Sequence, residues 1–326
     1  MDTEFHYYMT GIIAHAAGFT QNESKTIAYA SEYTDENDKK YTIKDRNTDK
    51  PYENYISQTM NILKPKQSLM RIYPVFHFIP GEYDAKTTRR RDGKMHLLVT
   101  TPDNRIANEL FDEALKVNDE TRLHRIGIAT HAFADTWAHQ NFVGWYDYFN
   151  NIGMDVKPDI GHADAEHHPD WPGHRWEDNR LVEGEIDNSA RFLKASEKIY
   201  DKYRQSMFLK DREPNKDWDS LQKNLVDAMG TPFSGSFNWY ADDRVSEYRN
   251  LASWLGEFDE TEWFDKAIEK NLIDLICSGC CYWREDAEKE KTDWFLFQES
   301  VKAHQMLSMD LLKDVFDKMK IDLHNH

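Results

Sequence analysis

Cysteine is scarce in this chain: of 326 residues only Cys277, Cys280 and Cys281 carry a thiol. Three clustered cysteines exclude a disulfide-stapled scaffold, and a CxxCC lacking a second Cys pair is a poor zinc ribbon. A buried helical thiol cluster is the expectation. Glycine (14) and proline (10) are also sparse, which disfavours a many-turned β fold. No apolar run approaches the roughly 20 residues that span a bilayer. The opening Met1-Asp2-Thr3-Glu4-Phe5-His6 lacks a basic segment followed by an apolar one, so a cytoplasmic protein is expected. Positive charge is in deficit, with a formal net charge of −17, which repels nucleic acid and anionic lipid at long range. A local cationic site survives that argument, because bound metals are often the largest charges nearby.

What is present is a large apolar and aromatic fraction, 40% and 13%, enough to bury a sizeable core. The pattern predicts an all-α fold in a single domain, 1–326. A helix over 6–17 stops at Gly18, and Thr20 with Glu23 forms a capping-box pattern before a helix to about Tyr33. Residues 34–50 read as a polar loop, 52–63 as a short helix before Pro65, and 68–100 as irregular. Helices follow from Pro102 to Lys116 and from Asn118 or Asp119 to His139. A loop over 141–180 is long enough to suggest function. Further helices near 181–205, 216–229, 243–255, 259–285 and 290–320 complete the bundle. The last carries Trp294, Phe297, Val301, Leu307, Leu311 and Val315 at helical spacing, a core stripe. The Arg89–Arg91 run is a solvated loop or a contact for an anionic substrate.

The 14 histidines are unevenly placed. His131, Asp135 and His139 recur every four residues and so share one helix edge, with His124 seven residues before His131. Three ligand-type side chains over two turns, about 12 Å, are too spread for one ion and suit two or three with Asp135 bridging. Small residues between them (Gly127, Ala129, Ala132, Ala134, Ala138) admit neighbouring helices that bring further ligands. The alternative is a buried His–Asp hydrogen-bonded ladder. His162 and Glu166 can clamp an ion if their stretch is helical, in competition with Asp164, His167 and Asp170. His77, between aromatics in Pro74-Val75-Phe76-His77-Phe78-Ile79-Pro80, reads alone as a core residue, and Asp35 alone reads as part of a solvated loop. The remaining candidate is His6. The aromatics Phe142, Trp145, Tyr146, Tyr148 and Phe149 after the ligand helix are either core or the wall of a pocket.

Taken in order, His6, Asp35, His77-Phe78-Ile79, His131-xxx-Asp135, His139 and His162-xxx-Glu166 resemble the superfamily of zinc-dependent phospholipases C and single-strand nucleases. The likeness covers about 1–170, and 171–326 matches no motif of that superfamily. It implies a cluster of two or three zinc ions and hydrolysis of phosphate esters by metal-activated water. The implied ligands are Met1 (amine and carbonyl), His6, Asp35, His77, His131, Asp135, His139, His162 and Glu166. Asp135 would bridge, Asp35 would orient the water, and both count as catalytic. Asn141, Phe142 and Trp145 would contact substrate, since Asn141-Phe142 resembles the superfamily's Asn-Phe. The interval between Asp135 and His139 is shorter than in familiar relatives, which keeps His139 on the same helix. The implied substrate is a small-molecule or lipid-headgroup phosphate ester, or single-stranded nucleic acid, and no protein partner is identifiable. An HD-type phosphohydrolase would require an adjacent His-Asp pair, which is absent. A metal-binding or structural protein without turnover, or an interaction module with a satisfied polar core, remains as the contrasting class.

Overall fold

The computed structural model describes residues 1–46, 48–59, 61, 66–152, 160–271 and 280–321. A π-helical turn, Glu4–Met9, runs into α1 (Thr10–Ala17), which ends where Gly18 adopts a left-handed φ of 116°. Thr20 and Glu23 form the expected reciprocal capping box at the start of α2 (Gln21–Glu36). Strands β1 (Thr42–Asp45) and β2 (Thr48–Glu53) follow, then α3 (Lys66–Met70) and a π-helical turn, Tyr73–His77. Asn104 caps α4 (Arg105–Lys116), and the helix that carries His131 and Asp135 is α5 (Arg122–Ala138). The hairpin β3 (Arg175–Glu177) and β4 (Glu185–Asp187) leads into α6 (Asn188–Gln205), capped by Asp187. Then come α7 (Trp218–Met229), α8 (Ala241–Leu251), α9 (Glu262–Ala267), β5 (Ile268–Asn271), β6 (Cys280–Trp283) and α10 (Asp293–Lys318).

The all-α expectation is therefore corrected: the fold is mixed, with one four-stranded and one two-stranded sheet beside its helices. The larger sheet has order β2-β1-β6-β5, with β1 parallel to β6 (Ile43 opposite Cys281) and the outer pairs antiparallel. These strands are three to six residues long, too short to display a run of alternation. The β1–β6 pairing joins segments far apart in sequence, so no local pattern announces it. Strand β1 occupies part of the expected 34–50 loop. Strand β2 reaches into the expected 52–63 helix, whose residues 60, 62 and 63 lie outside the described residues. In the expected 259–285 helix, α9 is a short piece before β5 and β6. Cys281 is buried on strand β6 rather than in a helix, and Cys277 lies outside the described residues. The helix expected from 181 begins only at Asn188, because 185–187 pair with β3.

One contiguous apolar cluster runs from Met1 and Phe5 through Phe111, Phe133 and Phe192 to Trp294 and Phe316. Within it α5 is buried along most of its length and packs against α2, α4, α6 and α10. Its approach to α2 depends on Gly127: a Cβ there would lie 2.5 Å from Ala30 Cβ and 2.6 Å from the Ile27 carbonyl oxygen. In an open helix Gly→Ala gains about 1 kcal/mol. Here overpacking of about 1–3 kcal/mol opposes it, against a backbone atom that cannot swing aside. Gly127→Ala should lower the free energy of unfolding measured in urea; a more stable variant would show that α2 and α5 do not touch there. Among the described residues no helix is long and apolar enough to cross a membrane.

Candidate metal centre

Helical geometry places His131, Asp135 and His139 on one edge of α5, as the spacing requires. His131 Nε2 lies 3.2 Å from Asp135 Oδ2, and His139 Nδ1 lies 3.5 Å from it. The other elements bring their groups to this edge. The π-helical turn at the N-terminus delivers His6, with Nε2 3.1 Å from Asp135 Oδ1 and its ring stacked 3.9 Å from that of His131. The last turn of α2 delivers Asp35, whose Oδ1 accepts from Gln58 and lies 3.5 Å from His77 Nδ1 and 3.8 Å from His131 Nε2. The Tyr73–His77 turn delivers His77, with Nδ1 3.3 Å from Asp135 Oδ2. His304 on α10 braces that turn: it donates to the Val75 carbonyl at 3.1 Å and stacks on Phe76. The Met1 amine donates to Asp135 Oδ1 at 2.5 Å and lies 3.5 Å from Asp170 Oδ1.

Asp170 supplies the carboxylate at the second end. His139 Nε2 is 3.4 Å from its Oδ1 and His162 Nε2 is 3.3 Å from its Oδ2. The expected His162–Glu166 pair is not brought together through side chains. Ala163–Ala165 is a single 3-10 turn rather than an α-helix, and Glu166 is an exposed residue at φ 49°. Its contribution is a backbone carbonyl that accepts from His162 Nδ1 at 2.8 Å. Asp170 was one of several carboxylates open at that point in the sequence. Only the turn that returns it to His162 distinguishes it.

Three triads have ligand atoms all within 4.8 Å of one another: His6/Asp35/His131, His77/His131/Asp135 and His139/His162/Asp170. Ring tautomers decide whether they suit a cation. A backbone carbonyl only accepts, so a ring nitrogen bonded to one carries the proton. His77 Nε2 donates to Ser57 O at 2.8 Å, His139 Nδ1 to His77 O at 2.7 Å, and His162 Nδ1 to Glu166 O at 2.8 Å. In neutral rings, the nitrogens turned toward Asp135 and Asp170 are then lone pairs. Lone pairs facing carboxylates repel unless a cation or a donated proton lies between them; His131 Nε2, 3.0 Å from His77 Nδ1, can donate to that ring, whereas the inward nitrogens of His139 and His162 face Asp170. Outward N–H groups fastened to carbonyls are also how metal-binding histidines are commonly oriented.

Charging the rings with protons is a partial alternative. Burial, then the neighbouring His131, pushes His6 down to about 3, and burial also lowers His139. His77 moves the other way: burial opposes charge there, but the Asp135 hydrogen bond and the Asp35 and Asp135 charges outweigh it. The same balance holds the buried Met1 amine up to about 11, burial being outweighed by Asp135, Asp170 and Asp35. Asp135 and Asp170 stay well below the ordinary carboxylate range: burial is overcome by imidazoles and the amine. The donor set of imidazoles, carboxylates and an amine therefore fits divalent ions of the zinc type.

The groups expected to contact substrate have mixed surroundings. Phe142 is fully buried beside Phe78 and Ala165, with the Arg180 guanidinium 4.1 Å from its ring centroid. It supports His162, whose ring it meets edge-on at 6.0 Å. Trp145 is half-buried and packs on the main core. Asn141, at φ 70°, has a buried carboxamide with neither polar atom bonded among the described residues. In the Arg89–Arg91 run, Arg90 donates to the Phe149 carbonyl and Arg91 to that of Leu181, so both fasten loops. His124 is turned away from the cluster, toward Asp293 at 3.0 Å.

Fold and site together define a mixed, mainly helical protein with a buried His/Asp cluster able to hold metal. The chain belongs to DUF6765, a family of unknown function, whose model matches residues 1–312. Searches of curated proteins and of solved structures found no match.

Proposed function

We propose that this protein is a zinc-dependent hydrolase of phosphate esters. The observation that supports it most is that His77, His139 and His162 each turn one ring nitrogen toward Asp135 or Asp170 while the other is fastened outward to a backbone carbonyl. His6, Asp35, His77, His131 and Asp135 would hold ions at one end; His139, His162 and Asp170 would hold one at the other. Asp135 is within reach of the Met1 amine and four imidazoles and would serve both ends of the cluster. Bound there, the ions would supply Lewis-acid charge for phosphoryl oxygens and an acidified water.

The chain's own residues do the rest. Asp35 is the least enclosed carboxylate of the cluster, with its side chain 27% exposed, and so can orient a water arriving from solvent. The unbonded Asn141 carboxamide, two residues after His139, can donate to a phosphoryl oxygen. Phe78 stacks on His139 at 4.3 Å and Phe142 is packed beneath His162, so both rings are held against rotation.

The test is metal analysis of protein purified without chelator, followed by a panel of phosphodiesters and phosphomonoesters. Two or three zinc ions per chain and hydrolysis of at least one ester are expected. Bound metal without any hydrolysis would favour a structural metal protein, and absence of bound metal would remove the proposal.

A further inference from the structure

We infer that Asn188 and Arg191, one turn apart on α6, form a positioning clamp that sets the affinity of the His139/His162/Asp170 site. The inference rests on the metal reading above and assigns roles to residues that coordinate nothing. Neither stands out in the sequence, because each is an ordinary polar residue of a helix.

Asn188 is fully buried, and its side-chain amide and backbone N–H are spent on the segment that carries Asp170. Its side-chain amide donates to the carbonyls of His168 at 2.8 Å and Trp171 at 2.9 Å, which bracket Asp170 on either side. Its backbone N–H donates to His174 O at 2.9 Å. Its Oδ1 accepts from Trp176 Nε1 at 3.3 Å and from Arg191 at 3.1 Å. Arg191 then reaches across to donate to the Ala138 carbonyl at 2.8 Å, the residue just before His139. The chain of bonds therefore runs from both flanks of Asp170, through Asn188 and Arg191, to the end of α5.

The consequence is specific to one site. His139 leaves α5 at its C-cap, and Asp170 and His162 sit in loop segments with no regular element to align them. The other candidate ligands stand on α2, α5 and two π-helical turns; of these elements only α5 meets the clamp through these bonds, at Ala138 in its last turn. Releasing the clamp should let Asp170 drift from His139 and His162 while the Asp135 end keeps its geometry. Losing a partner one step out from a ligand weakens metal binding by roughly 10–100-fold.

The experiment is zinc titration of chelator-stripped protein, with ions per chain measured at buffered free zinc. The proteins are the wild type, Arg191→Met, Asn188→Ala, His162→Ala and the double variant His162→Ala/Arg191→Met. Arg191→Met keeps the apolar stem and removes the donors. It should weaken one ion by ~10–100-fold and leave the others at wild-type affinity. The same ion should be lost in His162→Ala, and the double variant should lose nothing further, the non-additivity of coupled groups. If Asn188→Ala fails to fold, Arg191→Met decides alone. Folded Arg191→Met with every ion at wild-type affinity, or with all ions weakened equally, overturns the clamp. A wild type that takes up no zinc overturns the metal reading itself and the clamp with it.

Discussion

If the protein is the metal-dependent phosphoesterase proposed above, Asp135→Asn should remove at least one metal ion and the ester turnover together, and it should destabilise the metal-free chain as well. The side chain it replaces is 1% exposed and faces the Met1 amine and the imidazoles of His6, His77, His131 and His139. Asparagine has nearly the same shape, so packing changes little and the lost charge is what is measured. Without that charge the buried Met1 ammonium loses its bonded anion. Removing one partner of a buried pair costs about 3–5 kcal/mol. The carboxamide N–H₂ also introduces donors toward an ammonium that has only donors itself. Toward metal, the variant would lack the carboxylate proposed to be shared between ions, and affinity should fall by at least ~100-fold, the upper end of what a group one step further out contributes. Metal per chain, denaturant unfolding after chelation and ester turnover read the three effects. Full metal content in a folded Asp135→Asn protein would end the bridging assignment.

The second large effect is in protons. In the metal-free chain His6 is held down to about 3 against an ordinary 6.5. Across that window the unfolded chain binds more protons, so stability falls as pH drops from 6.5 toward 3, by up to about 5 kcal/mol. The depressed Asp135 and Asp170 act in the same sense below the ordinary carboxylate value of 3.8. The Met1 amine works at the other side: raised from 8.0 to about 11, it contributes stability that is complete below pH 8 and lost as pH climbs through 11. That contribution is about 4 kcal/mol. His77, also raised, adds a loss on the alkaline side of 6.5. The His6 and Met1 contributions are together complete between about pH 6.5 and 8, while buried Glu32, raised from 4.5 to about 8, opposes them by losing stability as pH rises through that interval, so His6→Gln against wild type isolates the acid limb.

For a chain that begins at Met1, loading at pH 7 should expel at least the amine proton. Calorimetry in buffers of different ionisation enthalpy counts it. Extending the chain before Met1 turns the amine into an amide. The extended protein should hold less zinc and release fewer protons than one extended at the C-terminus. Equal zinc and equal proton counts in the two would remove Met1 from the ligand set.

Much of the cluster was legible because helices repeat. His131, Asp135 and His139 needed only the period of α5 to be placed together, and the small residues around Gly127 announced that another helix comes close. The caps at Thr20 and Glu23 were equally local. Glu166 shows the complementary limit: pairing it with His162 requires a helix, and the segment is a single tight turn that leaves Asp170 facing His162 instead. The strands leave no local signature, because β1 and β6 are short and find each other only across the folded chain.

By itself, then, the sequence determined the helical periods, their caps, the apolar stripe of α10 and the chemical character of the ligands, since each depends on neighbours within a turn or two. Tertiary structure alone decided which carboxylate faces His139 and His162, which ring nitrogen faces inward, and how α6 ties the end of α5 to the turn around Asp170. Those outcomes depend on hydrogen bonds to backbone carbonyls in distant segments, such as Ser57 for His77 and Ala138 for Arg191. Carbonyls are the same on every residue, so no side-chain pattern could have marked them in advance.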